Sequence, residues 1–482
     1  MKYWKYLILG ALGVFAMLVL SQFRTVLYPG PELSEVLATE YSEGCLSPEQ
    51  PNRPVWECYE LSVDLEPHQA VIIQHEGSGE QQQVLTFQPN GSTDADSRFR
   101  FTPTQAGKWT FSTGGELTIN AERPNYAKGF VTANASKWMH SATEKVFVPQ
   151  FVMYDQPDLD KGLDDFIEGH GFTGFHITNL RDFLDNPEYF ESVVLKTYRR
   201  GGVTHFWLWG DKTRNETPDT YGVDADLLYT EIAARLSPLP GWTLGYGFDL
   251  FEWASAEEIE QLRASMQAKS SYHHMIGGRG HKNQYREISS NLDYASWEWH
   301  QPSYEDYREH LEKADQRPAF SEDRFRIRTP TRYPEKDYDA QLTLQGLWDS
   351  AMAGGIANIW GHKPENKQFS EPYPNQDAIK TYSRVIDTAF TASMLPDNSL
   401  ITQGHCLRDE NMSALCYIQQ PDTVQLNLEK ITSPYRVIAV DAQSAYEEID
   451  VLGPSDNVLS WSPPYASDWA LYISSTGLSS EG

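Results

Sequence analysis

Acidic residues that follow two predicted strands are the strongest indication of chemistry in this sequence. The segment Arg317-Pro-Ala-Phe-Ser-Glu322 has the pattern of a short apolar strand that ends in a glutamate. A second predicted strand covers Trp242–Phe248, and Asp249 and Glu252 come shortly after it. Glycoside hydrolysis needs two carboxyl groups, because one protonates the leaving oxygen while the other attacks the sugar or activates water. The spacing therefore predicts a site that cleaves glycosidic bonds.

The three acids are assigned different roles. Glu322 is the predicted nucleophile, and either Asp249 or Glu252 is the predicted general acid, with its pKa raised by burial or by the charge on Glu322. We favour Asp249 because it lies nearer the strand, whereas Glu252 also suits the first turn of the helix that follows. Gly245 and Gly247 would let the backbone or a substrate approach closely.

Aromatic and polar residues near the ends of the other predicted strands are candidates for binding sugar. Flat rings stack on sugars, and charged side chains hydrogen-bond to hydroxyl groups. Each aromatic residue taken alone fits a hydrophobic core equally well, but their position at successive strand ends favours a binding groove. The predicted substrate-binding residues are Trp209, Asp211, Tyr246, His274, Arg279, Trp297, Trp299, Arg324, Arg326, Trp360 and His362.

The histidines do not form a pattern that binds metal. His273 and His274 are adjacent, so on a strand they would point to opposite faces and could not both bind one ion. The sequence contains neither a His-Glu-x-x-His segment nor a Gly-x-Ser-x-Gly turn. We predict no metal and no cofactor.

Eight strand-like apolar runs, separated by amphipathic helices, must position these residues. Repeated strand–helix units predict a parallel sheet, and eight units over roughly 245 residues match a (β/α)8 TIM barrel, whose active site lies at the carboxyl ends of the strands. An open doubly wound sheet is the main alternative, but no Gly-rich phosphate loop follows the first strand. The predicted strands are Val146–Met153, Gly174–Thr178, Thr204–Trp209, Trp242–Phe248, Ser271–Ile276, Leu292–Trp297, Pro318–Ser321 and Ile356–Trp360.

Short alternating segments on both sides of the barrel predict antiparallel β-sandwich domains. The fold class is thus α/β, with a barrel flanked by two β-sandwiches. The predicted organisation is a signal anchor or signal peptide over 1–24, a tether over 25–54, an N-terminal β-sandwich over 55–125, the barrel over 145–392 and a C-terminal β-sandwich over 397–482.

The amino-terminal segment predicts export. Lys2 and Lys5 precede the apolar run Leu7–Leu20, as in secretory signals. No clear Ala-x-Ala cleavage site follows, so we favour an uncleaved anchor in a membrane over a cleaved signal peptide. Either form places the body of the protein in the periplasm or at the cell surface.

The four cysteines fit an oxidising compartment. Cys45 lies close to Cys58 in the sequence, and Cys406 lies close to Cys416, so two local disulfides are the simplest of the three pairings. Four reduced thiols in the core are the alternative.

The net charge limits the partners. At −28 over 482 residues, the chain is unsuited to nucleic acid, since phosphate binding needs clustered Lys and Arg. A polysaccharide or oligosaccharide remains as the predicted partner. Arg279, Arg324 and Arg326 near the predicted mouth hint at an anionic glycan.

Three segments resemble the apiosidase-like and related bacterial polysaccharide-degrading glycoside hydrolases. Ser97–Phe111 is similar to the "RFxPxxxGxW" segment of their accessory domain, Arg317–Glu322 to their strand-seven nucleophile segment, and Leu347–Ala357 to the small-residue helix before their last strand. The resemblance implies a retaining polysaccharide hydrolase. The sequence departs at strand four, where Gly-Phe-Asp-Leu-Phe-Glu stands instead of an Asn-Glu pair.

That departure leaves other functions open. A catalytically inactive carbohydrate-binding protein at the cell surface would keep the barrel and lose the carboxylate pair. A polysaccharide lyase would use a Tyr or His base instead. Glu322 could also form a surface ion pair with Arg326 rather than act on substrate.

Overall fold

The computed structural model describes most of the chain after residue 43. Residues 1–43, which include the predicted signal segment and most of the tether, lie outside the described residues. No helix within the described part is long and apolar enough to cross a membrane. The described ranges are 44–90, 96–154, 158–282, 284–327, 334–361, 373, 375–410, 413–431, 435–451 and 458–474.

Six antiparallel strands form the amino-terminal unit. The pair β1–β4 and the sheet β3-β2-β5-β6 share one core, to which Phe101 and Trp109 contribute fully buried rings. Alternating exposed and buried residues along β2 show the apolar-in, polar-out pattern of a strand at such a core. A disulfide joins Cys45 to Cys58, as predicted. The strands are β1 Tyr59–Val63, β2 Ala70–His75, β3 Gln81–Leu85, β4 Ser97–Phe101, β5 Gly107–Phe111 and β6 Glu116–Ile119.

A three-stranded antiparallel meander precedes the barrel. It consists of β7 Val131–Asn134, β8 Lys137–His140 and β9 Lys145–Phe147. Trp138 on β8 packs inside the barrel against Phe320 and closes the end where the strands begin.

The first predicted barrel strand, Val146–Met153, is divided between two sheets. Its first residues belong to β9 of the meander, and the barrel strand starts only at Gln150. Pro149 stands between the two parts and has no N–H to donate to a ladder, which explains the break.

Eight parallel strands form a nearly closed barrel, which confirms the predicted fold class. Their order is β14-β13-β12-β11-β10-β18-β16-β15, and the edge strands β14 and β15 are linked by a hydrogen bond of 2.9 Å from Gly280 N–H to the Ser296 carbonyl. The short strand β17 pairs in parallel with the last two residues of β16. The strands are β10 Gln150–Met153, β11 Gly174–Ile177, β12 Val203–Trp209, β13 Trp242–Gly247, β14 Ile276–Gly277, β15 Ala295–Trp297, β16 Ala319–Ile327, β17 Asp337–Tyr338 and β18 Ala357–Gly361.

Helices connect the barrel strands, and capping residues set where several of them begin. Ser255 and Ser303 each start a helix through a reciprocal pair of hydrogen bonds with the acid three residues later. The helices are α1 Leu159–Gly162, which continues as the π-helix Leu163–Gly169, α2 Pro187–Arg199, α3 Pro218–Tyr221, α4 Ala225–Arg235, α5 Ala256–Lys269, α6 Tyr304–Lys313, α7 Ala340–Met352 and α8 Gln376–Ala389, with 3-10 turns at Leu180–Asp182, Lys212–Arg214, Leu250–Glu252 and Asn398–Leu400.

The carboxyl-terminal unit is again antiparallel. A six-stranded sheet, β19-β20-β21-β26-β23-β24, shares a core with the pair β22–β25. The second predicted disulfide joins Cys406 on β20 to Cys416, which lies directly opposite on β21. The strands are β19 Leu395–Pro396, β20 His405–Arg408, β21 Ser413–Ile418, β22 Val424–Asn427, β23 Arg436–Asp441, β24 Glu448–Val451, β25 Val458–Trp461 and β26 Trp469–Ser474.

The carboxyl-terminal sheet packs on α7. Trp348 of α7 stacks on Tyr417 of β21, with ring centroids 4.7 Å apart. The next residue, Asp349, lies nearly buried in a cavity of about 400 Å³ at this junction. Burial, with a smaller contribution from the charge on Glu305, raises the pKa of Asp349 to about 7.

This carboxyl group should make the free energy of unfolding depend on pH. Its pKa is about 7 in the folded protein against 3.8 for the free side chain. The folded state therefore holds the proton more tightly, and stability should fall as the pH rises from about 4 to about 7 and then level off. In the wild type this fall in the free energy of unfolding should amount to about 2–4 kcal/mol, and Asp349→Asn should abolish it. Urea unfolding across that pH range measures both proteins. The exposed Asp422→Asn serves as the control, and equal pH dependence in wild type and Asp349→Asn would contradict the assignment.

Candidate functional site

Charged side chains from four neighbouring strands meet around Arg279 at the carboxyl end of the barrel. Arg279 follows β14 and is only 4% exposed. Its guanidinium lies 2.6 Å from Asp249, which follows β13, 3.3 Å from Glu298, which follows β15, and 3.9 Å from Asp323 of β16. We call these four residues the mouth cluster. Because they come from different strands, only the closed barrel brings them together.

Two further groups complete the charge balance of the mouth cluster. His300 Nε2 lies 3.1 Å from Asp323 and 3.3 Å from Glu298, and Lys336 Nζ lies 3.7 Å and 3.4 Å from the same two carboxylates. Burial opposes ionisation of Glu298, but the charges of Arg279, His300 and Lys336 outweigh it and hold the pKa of that carboxyl well below its usual range. Glu298 is therefore a permanent anion at physiological pH.

Glu298, His300 and Asp323 could in principle hold a metal ion. One ligand atom from each lies within 4.8 Å of the others. However, Arg279 and Lys336 already place positive charge beside both carboxylates, and a divalent cation would have to displace at least one of them. We interpret the group as an ion-pair cluster.

Glu322, the predicted nucleophile, lies beside Asp323 on β16 and turns into the barrel interior. Its Oε1 accepts a hydrogen bond of 2.9 Å from the Tyr294 hydroxyl and lies 3.0 Å from His205 Nε2. Its Oε2 accepts a hydrogen bond of 2.8 Å from the Ser296 hydroxyl. The side chain has no exposed surface. Three polar groups thus orient the carboxyl group and satisfy its oxygens.

A break in strand register lets two consecutive acids reach the same region. Ser321 lies opposite Asn358 of β18, but Arg324 already lies opposite the next residue, Ile359. Consecutive side chains of a regular strand point to opposite faces. The bulge between Ser321 and Arg324 bends the backbone, and this explains how Glu322 and Asp323 both lie on the barrel side of β16.

A pair of histidines extends the interior network. His205 of β12 and His176 of β11 place their Nδ1 atoms 2.7 Å apart. His205 Nε2 lies 3.2 Å from the Tyr294 hydroxyl, which donates to Glu322. If His205 donates its Nε2–H to that hydroxyl, its Nδ1 must accept, and the His176 Nδ1–H must donate. The carboxyl group of Glu322 is therefore connected to a proton-carrying chain across three barrel strands. Sequence reasoning missed both histidines, although each occupies a mid-strand position in an otherwise apolar run.

The two predicted acids of strand four differ in their surroundings. Asp249 is 37% exposed at its side chain and binds Arg279, which in turn donates a hydrogen bond of 3.3 Å to the carbonyl of Glu322. The backbone of Asp249 is left-handed, with φ +54°, a conformation that Asp adopts more readily than most residues. Glu252 is exposed on the following 3-10 turn, and within the described residues it has no ion pair with the mouth cluster.

Three predicted stacking residues do not reach the mouth. Trp209, Trp297 and Trp360 have no exposed surface. On β15 the reason is the alternation of side chains: Ser296 points inward to Glu322, so its neighbour Trp297 points outward and stacks on His310 of α6. These aromatic side chains are part of the packing between strands and helices.

Three other predicted binding residues make contacts that do not involve the mouth cluster. Tyr246 is buried against Trp253, Asp211 caps the turn Lys212–Arg214, and the half-buried Trp299 stacks on the ring of Tyr285.

His274 precedes its strand, because β14 begins only at Ile276. Its Nε2 lies 2.8 Å from the carbonyl of Ser237, at the end of the barrel opposite the mouth. Of the predicted substrate-binding residues whose side chains are described, Arg279 alone belongs to the mouth cluster. The side chains of Arg324 and Arg326, and the whole of His362, lie outside the described residues.

Comparison with known proteins yields structural relatives only. No family model matches the sequence, and no curated protein matches it either. A provisionally assigned glycoside hydrolase from Bacteroides vulgatus superposes with a TM-score of 0.65 at 14% identity, over 88% of this chain and 100% of the other. A glycoside hydrolase family 5 protein from Bacteroides vulgatus gives a TM-score of 0.58 at 12% identity, over 74% of this chain and 96% of the other. At such identities the likeness shows a shared fold.

Gly245 of β13 is required by the position of Glu322. A Cβ atom at this residue would lie 2.8 Å from Glu322 Oε1 and 2.7 Å from the Trp207 ring. We expect Gly245→Ala to lower the free energy of unfolding by about 1–3 kcal/mol, because neither neighbour has room to move. Gly44→Ala is the control, since a Cβ there meets nothing within 4 Å. Urea unfolding measures both variants, and unchanged stability in Gly245→Ala would show that Glu322 lies elsewhere.

Proposed function

We propose that this protein is a glycoside hydrolase that cleaves a glycosidic bond at the mouth cluster. The observation that carries the proposal is that the carboxylates of Asp249, Glu298 and Asp323, from the fourth, sixth and seventh barrel strands (β13, β15 and β16), meet around Arg279. They lie at the carboxyl end of the (β/α)8 barrel, which is the end at which barrel enzymes bind substrate. Carboxyl groups on different strands can approach a sugar ring from different sides, as acetal hydrolysis requires. The structural relatives are named as glycoside hydrolases and support the same proposal.

Asp249 is the proposed proton donor. It is the most exposed carboxylate of the mouth cluster, and it can donate a proton to a substrate once Arg279, with which it is paired, moves away. Glu252 is more exposed but has no ion pair with the mouth cluster within the described residues. The position at the end of strand four is also the one to which the resemblance assigns the acid.

Glu322 remains the proposed nucleophile, with Asp323 as its competitor. The hydroxyl groups of Tyr294 and Ser296 donate to the two oxygens of Glu322 and fix their direction, as a nucleophile needs. Against this, Glu322 has no exposed surface, so a sugar could reach it only after Arg279 moves. Asp323 lies in the mouth cluster itself but is held by His300 and Lys336.

The proposed substrate is a neutral oligosaccharide or polysaccharide. Of the three arginines that suggested an anionic glycan, only Arg279 has a described side chain. Its charge is balanced by Asp249 and Glu298. An anionic sugar would meet further carboxylates in the mouth cluster, which disfavours it. We also propose a retaining mechanism, tested by the anomer that forms first in proton NMR spectra.

We infer that the protein is exported. Both disulfides lie in the antiparallel units that flank the barrel, and such bonds persist in oxidising compartments. Anchoring by the amino-terminal segment remains part of this proposal, because that segment lies outside the described residues.

A catalytically inactive binding protein is the second candidate function. The observation that favours it is the complete burial of the Glu322 side chain. Such a protein would bind oligosaccharides from a substrate panel without releasing reducing ends. A lyase would instead release unsaturated products that absorb ultraviolet light.

Single variants decide which strand-seven carboxylate reacts. Glu322→Gln keeps the shape of the side chain but cannot attack the sugar, so kcat should fall by at least about a thousandfold. Asp323→Asn should lose far less, because in this assignment Asp323 only orients neighbours. Reducing-end assays with circular dichroism as a folding control measure both variants. The reverse order would transfer the role to Asp323, and full activity in both would remove the reaction from this site.

A substrate with a good leaving group identifies the acid. Protonation matters little when an activated phenol departs, so the variant that lacks the true acid should regain much of its rate on an aryl glycoside. We expect this recovery for Asp249→Asn and near-normal rates on both substrates for Glu252→Gln. Loss of activity in Glu252→Gln that the activated substrate restores would contradict the assignment.

A further inference from the structure

A second cavity, of about 420 Å³, lies at the end of the barrel opposite the mouth cluster. Gln150, Thr173 and Gly201, which stand at the amino ends of β10, β11 and β12, form part of its wall. The meander strand β9, the π-helix and α8 enclose the rest. Nothing in the proposed hydrolysis uses this cavity.

The cavity concentrates positive charge in a strongly acidic protein. The whole chain has 67 acidic residues against 39 Lys and Arg. Among the lining residues, Arg123, Lys128, Lys145 and Arg200 face a single acid, Asp387. Cations therefore outnumber acids in the cavity lining, whereas acids outnumber cations in the whole chain. This local excess of positive charge points to an anionic occupant.

Two of these cations have no carboxylate partner within the described residues. Lys145 pairs with Asp387 at 2.6 Å, and Arg200 pairs with acids outside the cavity lining. Lys128 instead donates to the Gly201 carbonyl at 2.8 Å, and Arg123 donates to a carbonyl at the same distance. Burial lowers the pKa of Lys128; the charge of Asp387 opposes this effect, and the charge of Lys145 adds to it. Asp387 can balance only one of the two ammonium groups, so a further anion in the cavity would be favourable.

A buried histidine supplies a further polar group. His140 lines the cavity, is 5% exposed and stacks on Phe147 with ring centroids 4.0 Å apart. Its Nδ1 has no hydrogen-bond partner in the described part of the chain. Burial, together with the charges of Lys128 and Lys145, holds the pKa of His140 well below 6.5, so the ring is neutral. The neutral ring adds no charge to the cavity wall, and because its Nδ1 has almost no accessible surface, the cations are left to hold an anion.

Part of the remaining wall is apolar. Phe147 and Val148 lie on the barrel side, and Ile167, Ile379 and Ile386 come from the helices. Cationic donors beside an apolar wall suit an anionic group attached to a hydrocarbon or aromatic body. A bare inorganic ion would leave the apolar wall in contact with water.

We propose that this cavity binds an organic oxyanion, with the anionic group at Lys128 and Arg123 and the apolar body against Phe147 and the isoleucines. The site is independent of glycoside hydrolysis. A phosphate ester and free phosphate share the anionic chemistry, and only the ester uses the apolar wall.

Calorimetric titration of the full-length protein tests the proposal with phenyl phosphate, inorganic phosphate and phenol. Phenyl phosphate should bind more tightly than inorganic phosphate, and phenol should not bind. Lys128→Met should weaken phenyl phosphate binding by at least about tenfold, because a charge-assisted hydrogen bond is lost. Arg123→Gln, at an exposed position, should weaken it too and gives the answer if Lys128→Met fails to fold.

The matched control is Lys108→Met, which removes the same charge from β5, where Lys108 pairs with two exposed acids. It should bind phenyl phosphate as the wild type does. Equal loss in the control would show a general charge effect and overturn the proposal. Absence of phenyl phosphate binding at millimolar concentration, or binding that survives both cavity variants, would overturn it as well.

Discussion

The balance of charge around Arg279 is the constraint on which the mouth of the barrel depends. One guanidinium group, almost without exposed surface, contacts carboxylates from strands four, six and seven and also rests over the ring of Trp207. Removing an ion from water costs several kcal/mol, so each buried carboxylate is tolerable only beside this cation and its neighbours Lys336 and His300. The position of the strands and the ionisation of the site are therefore coupled: the closed barrel brings the charges together, and their attraction holds the strand ends in place.

The barrel was predictable because its signal is repeated. Each of the eight apolar runs found in the sequence corresponds to a barrel strand, and α6 begins at Tyr304 because Ser303 and Asp306 cap it. The errors lie where local chemistry changes the start of a strand. Pro149 separates β9 from β10, and β14 begins at Ile276, five residues later than expected, which places His274 at the wrong end of the barrel.

The composition of the site was harder to predict than its location. Trp297 and Glu298 are adjacent in the sequence, and the prediction chose the aromatic residue, whereas the alternation fixed by Ser296 directs Trp297 to the helices. Asp323 was not among the predicted site residues. A regular strand would turn it away from Glu322, and the bulge that brings both to one side has no clear sequence signal. Strand ends can be located from periodicity. The face of β16 to which each side chain points, however, depends on pairing with β18, which is 30 residues or more away in the chain.

The interior of the barrel is more polar than stability alone would favour. Glu322, His205 and His176 occupy positions that Val, Ile or Leu would fill in a barrel selected only for packing. Replacing a buried polar network by apolar residues of similar size is often neutral or stabilising, so its presence here needs another explanation. The network leads from the middle of strands two and three to the carboxyl group next to the mouth cluster. Polar groups that are costly for folding and converge on one end of the barrel are what a catalytic site requires, and this convergence is the physical basis for assigning the chemistry to that end.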